Sequence, residues 1–403
     1  MGILAQYKGL SRANYVLFIG RLVTRLGAMI MPMLTLILNQ KFGFSGAETA
    51  FWVIVTGIIS LPANLVGGHL ADRISKRKLI IICDIVSIVL YLYSAFSELS
   101  FGIFILLIIA SFAQTMEGPA YQALVVAVTP EGKKDKAFSL MYMASNIGLM
   151  LAPTISGLLF NNYLWLCFII DAVTIGLSTI LIYLFIEESD ATTIRTVEDT
   201  KVEQSLEKSA GTLILENKLI LLFLITFVLY EAGYAQFSYL MPLDLTRLHG
   251  QWGATLYGTI TSVNCITVVI LNPFLTKILE NRSHEMKLMA GVIFQILGFV
   301  VFLCSLGYVP GYYIAIILFT LGEIATCLSH SPFFAAHIPE EYHGRIFGIS
   351  SFWDAMAGGV VMYVSGILFD HNLNELAWIF TIIVTVMALI MGIIVNIYRL
   401  RHK

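Results

Sequence analysis

The feature that most constrains the fold of this 403-residue chain is a series of long apolar runs, which recurs from one end to the other. Each run has the ~20 residues that an α-helix needs to cross the hydrocarbon core of a membrane. Charged residues make up only 12% of the chain, about half of their share in a soluble domain. Because an α-helix satisfies its backbone hydrogen bonds internally, these runs predict an all-α membrane protein.

Glycine, proline and charged residues divide the apolar sequence into twelve predicted helices. A long hydrophilic connection separates the first six from the last six, and its polar composition is typical of a linker. The predicted domains are therefore an N-terminal six-helix bundle at 1–186, a cytoplasmic linker at 187–217 and a C-terminal six-helix bundle at 218–403. The helices are predicted at 14–38, 47–69, 78–96, 101–128, 136–160, 163–186, 218–244, 253–275, 286–306, 310–336, 344–369 and 376–398.

The distribution of Lys and Arg predicts how the chain is oriented in the membrane. Of the 24 basic residues, Arg21 and Arg25 lie inside the first predicted helix. Lys41 and Arg247 lie on one side of the membrane, and the other 20 share the opposite side with both chain termini. The side rich in Lys and Arg faces the cytoplasm in most membrane proteins. We therefore expect a multi-pass protein of the cell membrane with both termini in the cytoplasm.

The two halves of the chain match each other at a constant offset of 209 residues. SGLLF at 156–160 corresponds to SGILF at 365–369, and Pro-Glu at 130–131 corresponds to Pro-Glu at 339–340. Several matches at one offset without a gap indicate an internal duplication. Two six-helix halves inserted in the same sense form a parallel repeat, an arrangement in which transporters enclose a central cavity and alternate its access.

The connection between predicted helices 2 and 3 carries a dense charged motif, GHLADRISKRK at 68–78. Together with twelve helices in two sixes, this motif resembles the major facilitator superfamily. The resemblance implies that the aspartate of the motif binds beside the start of helix 11, near 342–345, as part of a cytoplasmic gate. Ser75 stands where a second glycine is usual in the superfamily motif. The matching residues are Gly68, Leu70, Ala71, Asp72, Arg73, Lys76 and Arg77.

Other segments resemble proton-driven drug exporters of that superfamily. Helix 5 contains Gly148, Ala152, Pro153 and Gly157, which are similar to the glycine–proline motif of these exporters. Small residues at these positions allow close helix approach, and a proline permits a bend. In helix 1, LGAMIMP at 26–32 also resembles the exporter pattern.

Helix 10 resembles the corresponding helix of the lactococcal multidrug exporters in the stretch FTLGEIATCLSHSP at 319–332. The resemblance implies that Glu323 takes part in both substrate binding and proton coupling. The chain departs from the exporter pattern at Met141 and Ser238, where those exporters carry acids. It also has Gln114 where proton antiporters usually have an arginine.

Ionisable residues inside the apolar helices are the main candidates for function. Each costs ~2.5–3.5 kcal/mol at the centre of a membrane and therefore needs a partner or a purpose. A desolvated carboxylate accepts a proton more readily than one in water, which is what a proton-coupled carrier requires. Arg21 and Arg25 form a structural ion pair with an acid or bind anionic groups of the substrate, and the sequence leaves both open. We expect proton coupling or substrate binding at Glu323, Glu231, Asp354, Glu117, Arg21 and Arg25.

Aromatic, amide and methionine side chains near these acids are predicted to line a substrate cavity, with ordinary helix packing as the alternative. Such surfaces accommodate loosely specified organic ligands. His330 and His337 are additional proton-relay candidates, although histidines near a helix end are commonly solvated. The predicted lining residues are Gln114, Tyr230, Tyr234, Gln236 and Met29.

The sequence favours a secondary active transporter, and in particular a proton-coupled antiporter that exports amphipathic organic compounds by alternating access. The alternatives are a proton-coupled importer of a small anionic or zwitterionic nutrient and a lipid flippase. No metalloprotease, nucleotide-binding or hydrolase motif occurs, so we expect no enzymatic activity, no cofactor and no bound metal. The expected partners are a small-molecule substrate, protons and the lipid bilayer, without nucleic acid, and the expected state is a monomer.

Overall fold

The computed structural model describes residues 9–187, 210–339 and 342–401. Within these ranges all regular structure is helical, and twelve segments are long and apolar enough to span a membrane. The prediction of an all-α protein with twelve membrane helices is confirmed. Numbered span 1 to span 12, the segments are Arg12–Lys41, Gly46–Arg73, Lys76–Phe96, Phe101–Val128, Lys136–Leu159, Leu164–Phe185, Lys218–His249, Trp252–Leu279, His284–Cys304, Val309–His337, Arg345–Asp370 and Asn374–Arg401.

Several spans are broken into shorter helices where the sequence has proline or small residues. Regular helix in span 1 covers Arg12–Gly27. The helix of span 11 begins at His343, and a short helix at Ala210–Glu216 precedes span 7. The paired helices are Lys134–Leu149 and Ala152–Leu159 in span 5, Lys218–Tyr234 and Leu240–His249 in span 7, and Val309–Cys327 and His330–His337 in span 10.

Contacts within the fold define two compact units. The described residues of unit 1 fall in 1–37, 55–196 and 254–265, and those of unit 2 fall in 38–54, 197–253 and 266–403. Each unit therefore contains one short segment from the other half of the sequence, at the start of span 2 and the start of span 8. The predicted bundles at 1–186 and 218–403 stay a prediction, and 188–209 of the predicted linker lie outside the described residues.

Span 1 is interrupted in unit 1 at the point where its regular helix ends. The backbone amides of Met29 and Ile30 donate to the two carboxylate oxygens of Asp171 in span 6, at 2.9 and 3.2 Å. Asp171 is only 5% exposed. An unpaired amide inside a membrane costs several kcal/mol, so this carboxylate makes the interruption possible.

Spans 5 and 8 approach each other closely in unit 1 because each presents a glycine to the backbone of the other. A Cβ on Gly157 would lie 2.9 Å from the Cα of Thr255, and a Cβ on Gly258 would collide with the carbonyl oxygen of Pro153. The Thr255 hydroxyl also donates to the Gly157 carbonyl at 3.1 Å. Small residues allow membrane helices to pack this tightly.

The contact between spans 5 and 8 should be sensitive to one added methyl group. We expect Gly258→Ala to lower the free energy of unfolding by about 1–3 kcal/mol, because the methyl overlaps a backbone oxygen. Gly57→Ala in span 2 is the matched control, since a Cβ there meets nothing within 4 Å. Unfolding in detergent measures both variants. Equal stability of the two would contradict the close approach.

Candidate substrate and proton site

A cavity of about 340 Å³ lies between spans 7 and 10 in unit 2. Its size is that of a site for a small organic ligand. Span 7 contributes residues spaced i, i+3, i+4 and i+7, and span 10 contributes a set with nearly the same spacing, so each helix turns one face to the cavity. The lining residues are Phe227, Tyr230, Glu231, Tyr234, Glu323, Thr326, Cys327, His330 and Ser331.

The cavity is lined by acidic side chains. Glu231 and Glu323 face it from opposite spans, and no Lys or Arg is among its described lining residues. The carboxylates of Glu231, Glu323 and Asp354 lie close enough to interact electrostatically. Like charges held together in a medium of low dielectric are stabilised when a proton or another cation binds among them. The arrangement is therefore suited to bind protons or cationic groups.

The walls of the cavity are aromatic and tightly packed. The imidazole of His330 stacks on Phe227 with ring centroids 3.7 Å apart. Tyr234 stacks on Phe319 at 5.0 Å, and Phe319 in turn packs against Phe299 at 5.5 Å. Faces of aromatic rings attract cations and apolar groups alike. The walls therefore suit a ligand that combines an apolar body with a positive charge.

A chain of hydrogen bonds links the cavity to span 11. Nε2 of His330 lies 3.3 Å from the hydroxyl oxygen of Ser350. The Ser350 hydroxyl donates to Oδ2 of Asp354, also at 3.3 Å. Asp354 itself is not among the residues that line the cavity. The predicted residue Asp354 is thus connected to the site through Ser350 and His330.

Three of the predicted lining residues do not line this cavity. Met29 and Gln114 belong to unit 1, where Met29 is buried and its amide is bound by Asp171. Gln236 is in unit 2, but it lies on the short helix that follows the regular helix of span 7 and is fully buried. Tyr230 and Tyr234 are the two predicted aromatic residues that the fold brings to the cavity with Glu231 and Glu323.

Unit 1 contains a second group of charges, and its members are of both signs. Arg21 and Arg25 lie within electrostatic range of the buried acid Glu117. The guanidinium of Arg21 also stacks over the ring of Tyr121 at 5.2 Å, and its Nε donates to the hydroxyl of Ser145 at 3.3 Å. These contacts hold Arg21 in place within the bundle. The group in unit 1 therefore contains charges of both signs, unlike the cavity in unit 2.

Span 1 also approaches span 5 closely at Gly148. A Cβ at this position would overlap the Cβ of Arg25 and would lie 2.9 Å from the carbonyl oxygen of Leu22. The absence of a side chain at Gly148 therefore positions the helix segment that carries the two arginines. The proline of the same motif, Pro153, stands in the first turn of the second helix of span 5.

The charged motif at 68–78 covers the end of span 2 and the start of span 3. Asp72 and Arg73 are exposed, and Gly68 and Arg77 are half-buried. Ser75 caps the helix of span 3 by accepting a hydrogen bond from the amide of Lys78, which gives a role to the residue that replaces a glycine.

Two basic residues of this motif are more closely held. Arg77 donates to the carbonyl oxygen of Tyr183 in span 6 at 2.6 Å, and its guanidinium lies over the Tyr183 ring at 5.0 Å. Lys76 is buried, with 7% of its surface exposed. The long apolar stem of lysine makes this burial possible. Arg77 thus joins span 3 to span 6 within unit 1.

The family profile described as Major Facilitator Superfamily matches residues 17–362 of this sequence. The chain belongs to this superfamily, whose members are secondary transporters. It is 24% identical over 357 residues to a Na(+), Li(+), K(+)/H(+) antiporter of Planococcus maritimus. The alignment covers 80% of this chain and 81% of the relative. It is 21% identical over 385 residues to the multidrug resistance protein MdtH of Photorhabdus laumondii, covering 94% and 92% of the two chains.

Solved structures with the same fold include peptide transporters. The chain aligns with a crystal structure of the peptide transporter POT in complex with sulfate at a TM-score of 0.78 and 15% identity, over 100% of this chain and 96% of the other. A POT family transporter in complex with a thioalcohol conjugated peptide aligns at 0.75 and 17% identity, over 97% and 96%. At this level of identity the similarity establishes the fold alone.

Two cysteines allow a direct test of the charge in the cavity. Cys327 lines the cavity, whereas Cys304 ends span 9 away from it, and both are exposed. In detergent, we expect a cationic methanethiosulfonate reagent to modify Cys327 about tenfold faster than an anionic one, because the two carboxylates attract cations. The control is Cys304, studied alone after the other cysteines are replaced by alanine. The same reagent preference at both positions would contradict an acidic cavity.

Proposed function

We propose that this transporter is a proton-coupled antiporter that exports amphipathic organic cations through the cavity between spans 7 and 10. The observation that carries the proposal is the combination of two carboxylates with aromatic walls and no Lys or Arg among the described lining residues. An amphipathic cation satisfies both features, because its charge binds the acids and its apolar body packs on the rings. The relatives named as multidrug resistance proteins support this substrate class.

The proposed exchange depends on competition for the same negative charge. A bound organic cation neutralises Glu231 and Glu323, and protons that enter from the outer side displace it by neutralising the same carboxylates. Loss of these protons to the cytoplasm restores the acidic cavity. Because either ligand compensates the charge, the carrier exchanges one for the other and does not bind both fully at once.

Asp354 has a place in this proposal as a proton acceptor behind the cavity. Its carboxylate accepts a hydrogen bond from the Ser350 hydroxyl. The same hydroxyl lies within hydrogen-bond distance of Nε2 of His330. Protons can pass between hydrogen-bonded groups of this kind when one of them changes its protonation. Glu117, Arg21 and Arg25 have a different role, which is to interact with one another inside unit 1.

Import of a small anionic or zwitterionic nutrient is the weaker alternative. Its main support was the pair Arg21 and Arg25, and both arginines interact with Glu117. A second candidate is exchange of a small inorganic cation for protons. The acidic cavity favours it, and so does the similarity to an antiporter named for Na(+), Li(+) and K(+).

We place both termini in the cytoplasm, because the basic residues cluster on their side.

The proposal predicts a loss of coupling in Glu323→Gln. In proteoliposomes with an imposed pH gradient, the wild-type protein should move tetraphenylphosphonium against its own gradient. We expect Glu323→Gln to reduce this proton-driven movement by about tenfold or more, because the substituted side chain can no longer exchange a proton. Parallel vesicles that contain Na⁺ in place of the organic cation test the second candidate.

Glu98→Gln is the matched control for this experiment, because Glu98 is exposed and lies between spans 3 and 4. It removes the same charge outside the cavity and should retain wild-type transport. Fully coupled movement in Glu323→Gln would overturn the proposed mechanism. Movement of Na⁺ alone, with no organic cation transported, would favour the inorganic exchanger.

The cytoplasmic gate motif gives a separate prediction at Asp72. We expect Asp72→Asn to slow turnover and to leave equilibrium binding of tetraphenylphosphonium nearly unchanged, since Asp72 is exposed at the end of span 2 and does not line the cavity. Binding by equilibrium dialysis and transport in vesicles give the two quantities. A variant that folds normally and loses binding would exclude a role limited to the gate.

A further inference from the structure

The start of span 2 contacts the end of span 11 through a carboxylate, and both segments belong to unit 2. Oδ1 of Asp370 accepts the amide of Gly46 at 2.6 Å, and Oδ2 accepts the amide of Ala47 at 2.9 Å. These are the first two amides of the helix in span 2, which have no partner within the helix. A carboxylate at this position also interacts favourably with the helix dipole.

The remaining amides of this helix terminus are satisfied locally. The hydroxyl of Ser45 accepts the amide of Glu48, and the Glu48 carboxylate accepts the amide of Ser45 at 2.9 Å. The carbonyl of Ser45 accepts the amide of Thr49. Within the first turn, Asp370 is therefore the partner that comes from a different span. Its bonds fasten one span to another, whereas those of Glu48 stay within a single helix.

The backbones meet closely at the same point. A Cβ on Gly366 would lie 2.8 Å from the carbonyl carbon of Gly46, and the Tyr239 hydroxyl donates to the Gly46 carbonyl oxygen at 2.5 Å. Span 2, span 7 and span 11 are thus joined at one place by three hydrogen bonds. Asp370 remains exposed to solvent, so its bonds can break without leaving a buried charge.

The internal repeat shows which part of this contact occurs in only one of the two halves of the sequence. At the offset of 209 residues, Gly366 corresponds to Gly157, and Gly46 corresponds to Thr255. Gly157 and Thr255 are also in contact, in unit 1. Both copies therefore have a close approach between two spans, but Asp370 corresponds to Asn161. The ionised side chain is present in only one of the two copies.

Asp370 and Asp72 stand at the C-terminal ends of two different helices, those of spans 11 and 2. Asp370 binds the N-terminus of span 2. The family resemblance assigns Asp72 to a cytoplasmic gate.

We propose that Asp370 is a positioning residue of the transport cycle, whose carboxylate holds the start of span 2 against the end of span 11 in one of two alternating conformations. Release of Gly46 and Ala47 from Asp370 is a step of each cycle. The inference requires alternating access, and it holds whichever solute the cavity binds.

Spin labels at the two helix ends test the inference. Phe51→Cys in span 2 and Leu373→Cys before span 12 replace exposed residues, in a protein whose native cysteines are substituted. In lipid nanodiscs, we expect Asp370→Asn to raise the ratio of long to short label distances about tenfold, because two charge-assisted hydrogen bonds and a dipole interaction are weakened. Binding of tetraphenylphosphonium should stay within about twofold, whereas the transport rate should change.

Glu48→Gln is the matched control, since it removes an acid from the same helix turn without touching span 11. It should leave the distance ratio near that of the parent protein. Tyr239→Phe removes only the hydroxyl that binds Gly46, and we expect a smaller shift in the same direction as Asp370→Asn. This variant also serves if Asp370→Asn folds poorly by size-exclusion chromatography.

Unchanged distances in both Asp370→Asn and Tyr239→Phe would overturn the inference. An equal shift in Glu48→Gln would also overturn it, because the effect would then reflect the stability of the helix terminus. These outcomes are distinct from failure of the proposed function, which concerns the solute and its exchange for protons. A protein that moves no organic cation would still have to show the distance change.

Discussion

The fold depends on one constraint, which is that no polar backbone group can remain unpaired in hydrocarbon. The protein meets this constraint at two helix termini with aspartate side chains from other spans. Asp171 binds Met29 and Ile30 inside unit 1, and Asp370 binds Gly46 and Ala47 in unit 2. The chemistry is the same, but Asp171 is buried and Asp370 is exposed. The buried contact costs more to break than the exposed one, because breaking it leaves a carboxylate and two amides away from water.

The same constraint distributes the ionisable side chains between the units. In unit 1, Glu117 lies within electrostatic range of Arg21 and Arg25, so that charges of opposite sign are grouped together. In unit 2, the cavity places Glu231 and Glu323 together among aromatic rings, with no Lys or Arg among its described lining residues. This concentration of acidic side chains is the basis of the proposed binding of protons and organic cations in unit 2.

The twelve membrane helices could be predicted from the sequence, because a membrane helix requires a long apolar run. The pairing of Glu231 with Glu323 at one cavity was also accessible, since aromatic and polar residues recur at helical spacing around each acid. Periodicity does not identify which face meets which neighbour, and for that reason the sequence could not show that Met29, Gln114 and Gln236 lie outside the cavity between spans 7 and 10. The contact made by Asp370 could not be predicted from the sequence, because its partners are backbone amides, which no pattern of side chains reveals.

The interruption of span 1 has a mechanical consequence. A helix with a break in its middle would ordinarily act as a flexible joint, free to bend in several directions. Here the joint is fastened to span 6 by two hydrogen bonds to Asp171, on the inner side of unit 1's packing. We therefore expect the break in span 1 to move together with span 6, because both hydrogen bonds would have to be lost for the two spans to separate there.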